Sequence, residues 1–279
     1  MSTAMDHHPP GTRPARRITL IGTDFDGTVF AGGDTMAAAE HYQAFRRQLR
    51  QLRGAFGTHW AVVTGRHVSA MPLLLNELLM HGLSPDFMVM EDARIYRRRG
   101  ARFRPFRWWN FSIWLRRRQQ LARHRERVRA TMASIQFEHP TAVSLGGNRM
   151  IDLWYQFDAD DAAMAVERQL LDQFVGEKDF FVFRWGREVC LAPTAGTKGE
   201  AVRRLASELG VPRHEVFTIG DGQNDLSMLD PVAAGLIACV ANAQDEVLAA
   251  VERAQGFLAA GQHIAGVVEA LQFYTQNKA

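Results

Sequence analysis

Three short apolar runs, at residues 18–23, 60–63 and 87–90, alternate with helical stretches near 36–52 and 69–80, and this rhythm is what most limits the folds open to the chain. Each run is too short for a helix and is bounded by polar or glycine residues, so each reads as a buried strand. Buried strands alternating with helices predict a parallel sheet with helices on both faces. In such sheets ligands bind beyond the carboxyl ends of the strands. Asp24 and Thr64 stand at two of those ends.

Between 92 and 192 the rhythm changes. Trp114, Leu121, Val128 and Ile135 recur every seven residues and predict an amphipathic helix whose other faces hold many arginines. Strand-like runs follow at 142–145 and 151–155, separated by Gly146, Gly147 and Asn148, which predicts a hairpin. A helix at 159–174 and strands at 180–185 and 188–191 complete an α+β segment. After Pro193 the alternation resumes, with helices at 199–209, 226–229, 243–253 and 264–273 and strands at 216–219 and 236–240. The expected fold is therefore a doubly wound, Rossmann-like α/β core formed by 17–91 and 193–279, interrupted by a smaller α+β cap domain at 92–192. Residues 1–16, rich in Pro and Gly, are expected to be a disordered tail.

At 279 residues, with 47% hydrophobic and 23% charged side chains, the chain has material for a real core and is unlike fibrous or disordered sequences. Its two cysteines, Cys190 and Cys239, lie in apolar runs without a partner at ligand spacing, so neither a disulfide framework nor a structural zinc site is expected. No apolar run reaches the ~18 residues of a membrane span, and the expected setting is the cytoplasm, with no membrane partner. The net charge of +3 conceals about fourteen arginines between Arg94 and Arg129, opposed only by Glu126.

The chemistry concentrates at strand ends. Asp24 and Asp26 are two apart in an extended segment, so both project to one side, and Gly27 and Thr28 follow. Calcium loops and plain turns also use Asp-x-Asp-Gly, but here a buried strand precedes the motif and no ligating Glu follows at the required distance. A second unit, Gly220-Asp221-Gly222-Gln223-Asn224-Asp225, ends another apolar strand. Its carboxylates and those of Asp24 and Asp26 are expected to converge on one hard cation, and Mg2+ suits a site of few carboxylates completed by water and phosphate oxygens. Thr64, Gly65 and Lys198 supply a hydroxyl, backbone N–H groups and an ammonium, a set suited to holding a phosphoryl group.

These four pieces, Asp-Phe-Asp-Gly-Thr, Thr-Gly-Arg, Thr-Lys-Gly and Gly-Asp-Gly-Gln-Asn-Asp, in this order, resemble the haloacid dehalogenase superfamily of phosphohydrolases. The insertion is similar to the lid of its sugar-phosphate phosphatases, and the stretches around Asn242 and 261–266 look like the sucrose-phosphatase group. The resemblance implies that Asp24 is the nucleophile and that Asp26 protonates the leaving oxygen and then activates water. It also implies that Asp24, the Asp26 carbonyl and Asp221 bind Mg2+, with Asn224 and Asp225 as ligands or supports. A sugar phosphate or related small phosphorylated metabolite is the expected substrate, and the lid residues Arg184, Trp185, Arg187 and Glu188 are expected to contact it. Glu91-Asp92-Ala93 departs from the Asn-Gly or Ser-Gly turn that relatives often carry there.

Three uses suit the arginine run: a solvated face, a surface for nucleic acid or an acidic protein, or contact with an extended, multiply charged substrate. Two rival functions follow. One is a module that binds RNA or an acidic partner through the lid, with weak hydrolysis; the other is a phosphosugar mutase, although Thr64-Gly65-Arg66 looks more like the hydrolase pattern.

Overall fold

The computed structural model describes residues 16–31, 36–145, 153–174 and 176–276. The first elements in chain order are β1 (Leu20–Thr23), α1 (Met36–Phe56), β2 (His59–Val63), α2 (Met71–Met80) and β3 (Phe87–Met90). Next come β4 (Arg94–Arg99), β5 (Arg102–Pro105), α3 (Arg107–Arg123), α4 (Arg125–Glu138), β6 (Val143–Ser144), β7 (Leu153–Gln156) and α5 (Asp160–Gln173). The chain continues through β8 (Phe180–Trp185), β9 (Glu188–Pro193), α6 (Lys198–Leu209) and β10 (Val216–Gly220). It ends with β11 (Leu236–Cys239), α7 (Asp245–Arg253), β12 (Phe257–Leu258) and α8 (His263–Thr275).

Eight strands form one sheet in the order β12-β11-β10-β1-β2-β3-β4-β5, and every pairing is parallel except β3 with β4 and β4 with β5. Central β1 is buried along its whole length and lies between β10 and β2, with Thr23 level with Ile219 and Val62. That register brings the carboxyl ends of the three strands side by side, which is the topological reason a site forms there. The mixed α/β architecture with a parallel central sheet is the one expected. A second, antiparallel sheet runs β6-β7-β9-β8 and has its own apolar cluster, including Ile135, Tyr155, Val166, Leu170 and Leu191.

Several expectations need correction. Residues 94–105, assigned to the insertion, form β4 and β5 and extend the large sheet, so the second sheet's segment begins after Pro105. The arginines hid these strands; Ile95 and Tyr96 are the buried anchors, and Gly100, at φ +62, turns the hairpin. The seven-residue repeat spans two helices, not one, because His124 leaves helical geometry (φ −113, ψ 17) and meets Asp179 and Glu177. Residues 226–229 are not a helix; a 3-10 turn at Gln223–Asp225 stands before them. Strand β12 had no distinctive signal. The expected turn at 146–148, the start of the strand at 151–155 and almost all of the tail lie outside the described residues. Both cysteines are buried, and no helix among the described residues is long and apolar enough to cross a membrane.

Candidate active site

Strand β1 delivers Asp24, which is only 6% exposed, and the chain then turns sharply. Gly27 sits at φ +78, and a Cβ there would lie 2.2 Å from an oxygen of Asp221, so the turn demands glycine twice over. The Gly27 carbonyl meets Asn242 Nδ2 and His263 Nδ1, each at 2.8 Å. The ring contact requires the tautomer with its proton on Nδ1. The two C-terminal stretches that resemble sucrose phosphatases therefore brace the Asp26 loop.

Helix α6 begins at Lys198, with Thr197 accepting a hydrogen bond from the Glu200 amide as its N-cap. The Lys198 ammonium is 1% exposed and donates to Asp24 at 2.7 Å and Asp225 at 2.6 Å. The other oxygen of Asp225 accepts from the amides of Asp221 and Gly222, both at 2.9 Å. Asp221 in turn accepts from Thr28 at 2.6 Å.

This cluster carries more buried negative charge than Lys198 offsets. Burial, then the neighbouring Asp225, pushes Asp24 well above the carboxylate range. The same causes lift Asp221 to about 6, against the Thr28 hydrogen bond. Burial alone would lower Lys198, but Asp225, Asp24 and Asp92 hold it above the usual ammonium value. Oxygens of Asp24, Asp221 and Asp225 lie within 4.8 Å of one another. An all-oxygen set with surplus negative charge fits a hard divalent cation such as Mg2+. Asp225, expected as a possible ligand, has both oxygens engaged by Lys198 and by loop amides; its contacts are those of an anchor.

Strand β2 contributes Thr64, whose hydroxyl oxygen accepts from the Arg66 amide at 3.1 Å. Arg66, quoted in a motif but not counted among the site residues, grips both oxygens of Asp26 and lies over the Phe25 ring. Gly65 borders the Asp92 carboxylate, which accepts from Asn224 at 3.4 Å. Burial raises the pKa of Asp92, opposed by Lys198 and Arg117. Glu91 and Asp92 occupy the left-handed region, at φ +51 and +62, so the turn keeps the conformation a glycine would favour while adding a buried acid. Its only sequence signal was the departure at 91–93.

Arg117 was also missed as an individual residue. Its guanidinium donates to the carbonyls of Ala195 (2.8 Å), Gly196 (2.8 Å) and Glu91 (2.9 Å), so one side chain on α3 ties the turn after β3 to the segment that joins β9 to α6. Nothing in the spacing of the arginines singled it out.

Above the carboxylates lies a cavity of about 590 Å³. Asp24, Asp26, Asp221 and Asn224 line its floor, and Trp154, Phe181, Phe183, Arg184 and Glu188 line it from the second sheet. Arg184 is held by Glu167 at 2.7 Å, and Glu188 accepts from Trp154 Nε1 at 2.8 Å. Arg187, expected beside them, instead meets Asp160 and the Asp158 carbonyl and is not a cavity residue. The side chain of Trp185 lies outside what the structure describes.

A carboxylate cluster with a buried lysine at the carboxyl ends of a parallel sheet, facing a second α+β sheet, defines a haloacid dehalogenase-like phosphatase fold. Within it, the chain belongs to the sucrose-6F-phosphate phosphohydrolase family, which matches residues 17–275. The sucrose-phosphatase of Synechocystis sp. PCC6803, solved with sucrose and phosphate, superposes with a TM-score of 0.64 at 21% identity, covering 93% of this chain and 98% of that one. The haloacid dehalogenase subclass IIB sugar phosphatase BT4131 gives 0.60 at 16% identity, covering 92% and 98%. At these identities the likeness is one of fold. Phosphatase YwpJ of Bacillus subtilis is 39% identical over 57 residues, 20% of this chain. The chain thus spans about a fifth, 19%, of that relative's length.

Proposed function

We propose that the chain is a cytoplasmic, Mg2+-dependent phosphomonoesterase that acts through an aspartyl-phosphate, on a sugar phosphate or a related small phosphorylated metabolite. The observation that carries this reading is buried Asp24, held by Lys198 among further carboxylates on a cavity floor. In the first step an oxygen of Asp24 attacks phosphorus, the bond to the leaving oxygen breaks, and Asp26 gives that oxygen a proton. In the second, water attacks the phosphorus of the aspartyl-phosphate, Asp26 takes the water's proton, and the bond to Asp24 breaks. Asp26 serves as acid and base only after Arg66 loosens its grip, so substrate binding must compete for that guanidinium.

Asp24, the Asp26 carbonyl and Asp221 would hold Mg2+, with Asn224 in support; the ion supplies charge neutralisation when bound. Thr64, the Gly65 amide and Lys198 would receive the phosphoryl oxygens. In this reading 17–105 and 193–279 form the catalytic part and 106–192 the lid, which shields the site from bulk water. Arg184 and Glu188, which line the cavity, would be the lid residues that meet the leaving group.

Purified protein incubated with sugar phosphates, glycosyl-phosphoglycerates and nucleotides is expected to release phosphate when Mg2+ is present and to stop on chelation. No release from any ester, together with salt-sensitive retention on RNA, would favour a binding module instead.

Arg117 provides a separate check on the lid. Arg117→Ala is expected to lower kcat/KM by about 10- to 100-fold through misplacement of the lid. Lysine, which lacks the fork that spans several carbonyls, should not restore it. Steady-state kinetics of both variants decide; unchanged kinetics would remove Arg117 from lid positioning.

A further inference from the structure

The large cavity adjoins a second one of about 320 Å³, and the two share Glu91, Arg94, Trp114 and Arg117 as a common wall. Resting on the phosphatase reading above, we propose that this side cavity receives a second anionic group, a carboxylate or phosphate carried by the leaving alcohol of the substrate. The enzyme would then prefer phosphomonoesters that bear two anions over those with a neutral alcohol.

The donors are in surplus. Arg94, Arg107 and Arg117 line the side cavity against one acidic residue, Glu91, and of the three Arg117 is already committed, to the carbonyls of Ala195, Gly196 and Glu91. Arg94 meets Glu91 only at 3.3 and 3.4 Å, long for a charge-assisted contact, and its buried Nε has no hydrogen-bond partner. Glu91 is also shared with His67 at 3.4 Å. The side chain of Arg107 is exposed and makes no ion pair or hydrogen bond among the described residues. A buried guanidinium N–H left without an acceptor, as the Nε of Arg94 is, is rare in folded proteins and points to a missing acceptor.

The remaining wall favours a charged ligand part attached to a flat or apolar one. Asn110, Pro105, Phe111, Ile113 and Trp114 complete the lining, and the Phe111 and Trp114 rings stack at 5.7 Å. Phe111 and Trp114 are themselves part-exposed, so the side cavity is open to a ligand arriving from solvent and offers a flat ring face beside the arginines. Carboxylates and phosphates both match the planar fork of arginine. A substrate with its reacting phosphate at Asp24 would pass Trp114 to reach these donors. This gives part of the arginine run a use on the substrate side: Arg94, Arg107 and Arg117 all belong to it.

Matched pairs test the idea: glycerol 3-phosphate against 3-phosphoglycerate for a carboxylate, and glucose 6-phosphate against glucose 1,6-bisphosphate for a phosphate. The expected result is at least a tenfold higher kcat/KM for the two-anion member of one pair, carried by KM. Arg107→Ala and Arg94→Gln should each move that preference toward parity while keeping the wild-type circular dichroism spectrum. Calorimetric binding of the same pairs to Asp24→Asn reads the side cavity without turnover. Tighter binding of a two-anion member to Asp24→Asn, lost on adding Arg107→Ala, supports the proposal even if no ester is hydrolysed. Equal binding of both members in both pairs overturns it, even if the wild type proves an active phosphatase. A two-anion preference that survives both arginine substitutions overturns it as well.

Discussion

Asp24→Asn is expected to lower Mg2+-dependent turnover by about four orders of magnitude or more, because the amide oxygen is a poor nucleophile and no other carboxylate occupies its position. The fold should survive. Asparagine has nearly the same shape, and its oxygen still accepts from Lys198, which also keeps Asp225 at 2.6 Å. The sign of the stability change follows from the raised pKa of Asp24. A carboxylate whose folded pKa lies above its unfolded value makes stability fall as pH rises from the unfolded toward the folded value. Removing that charge should therefore leave the metal-free variant at least as stable as the parent at pH 7.5, and the melting temperature should gain less from added Mg2+. Phosphate release and thermal melts with and without Mg2+ check both parts. Turnover above about 1% of wild type would show that Asp24 is not the nucleophile.

Most of this floor is legible in the sequence because its logic is local. A strand is readable from four to six apolar residues, and the residue that ends it inherits a place at the sheet edge. Asp24, Thr64 and Asp221 were found that way. Lys198 was legible as a helix start, but its burial and its bond to Asp225 depend on how α6 packs. Arg66 stood in a recognised motif, yet its hold on Asp26 is a contact across 40 positions that no periodicity encodes. Strands β4 and β5 were lost for a different reason. Their cross-strand partners include Arg97 with Arg104 and Arg99 with Arg102, and opposed like charges are the reverse of what favours pairing. The strands persist because Ile95 and Tyr96 bury one part of the hairpin and the ladder to β3 supplies backbone hydrogen bonds. Arg187 was expected at the site because it belongs to the strand pair nearest the return to the core. An odd number of positions from Arg184 and an intervening turn sent it toward α5 instead.

Lys198→Met should damage both stability and chemistry. The ammonium is the buried counter-charge shared by Asp24 and Asp225, and removing one side of a buried ion pair costs about 3 to 5 kcal/mol. Part of that cost is avoided if the stranded carboxylates take up protons, so the penalty depends on pH. Without Lys198 the folded pKa of Asp24 climbs further above its unfolded value, and stability then falls as pH rises between the two. The stability gap between variant and wild type should accordingly be small near pH 5 and large at pH 8, as read from urea midpoints. A gap that stays constant with pH would mean the loss is one of packing. Adding Asp225→Asn supplies a neutral group that keeps its oxygen on the Asp221 and Gly222 amides, and it should recover part of the stability at pH 8. Turnover should not return in the double variant, because the phosphoryl oxygens would still lack the ammonium that Lys198 brings to Asp24. Recovery of stability without recovery of rate separates the structural work of Lys198 from its catalytic work, and parallel recovery of both would leave it as an anchor alone.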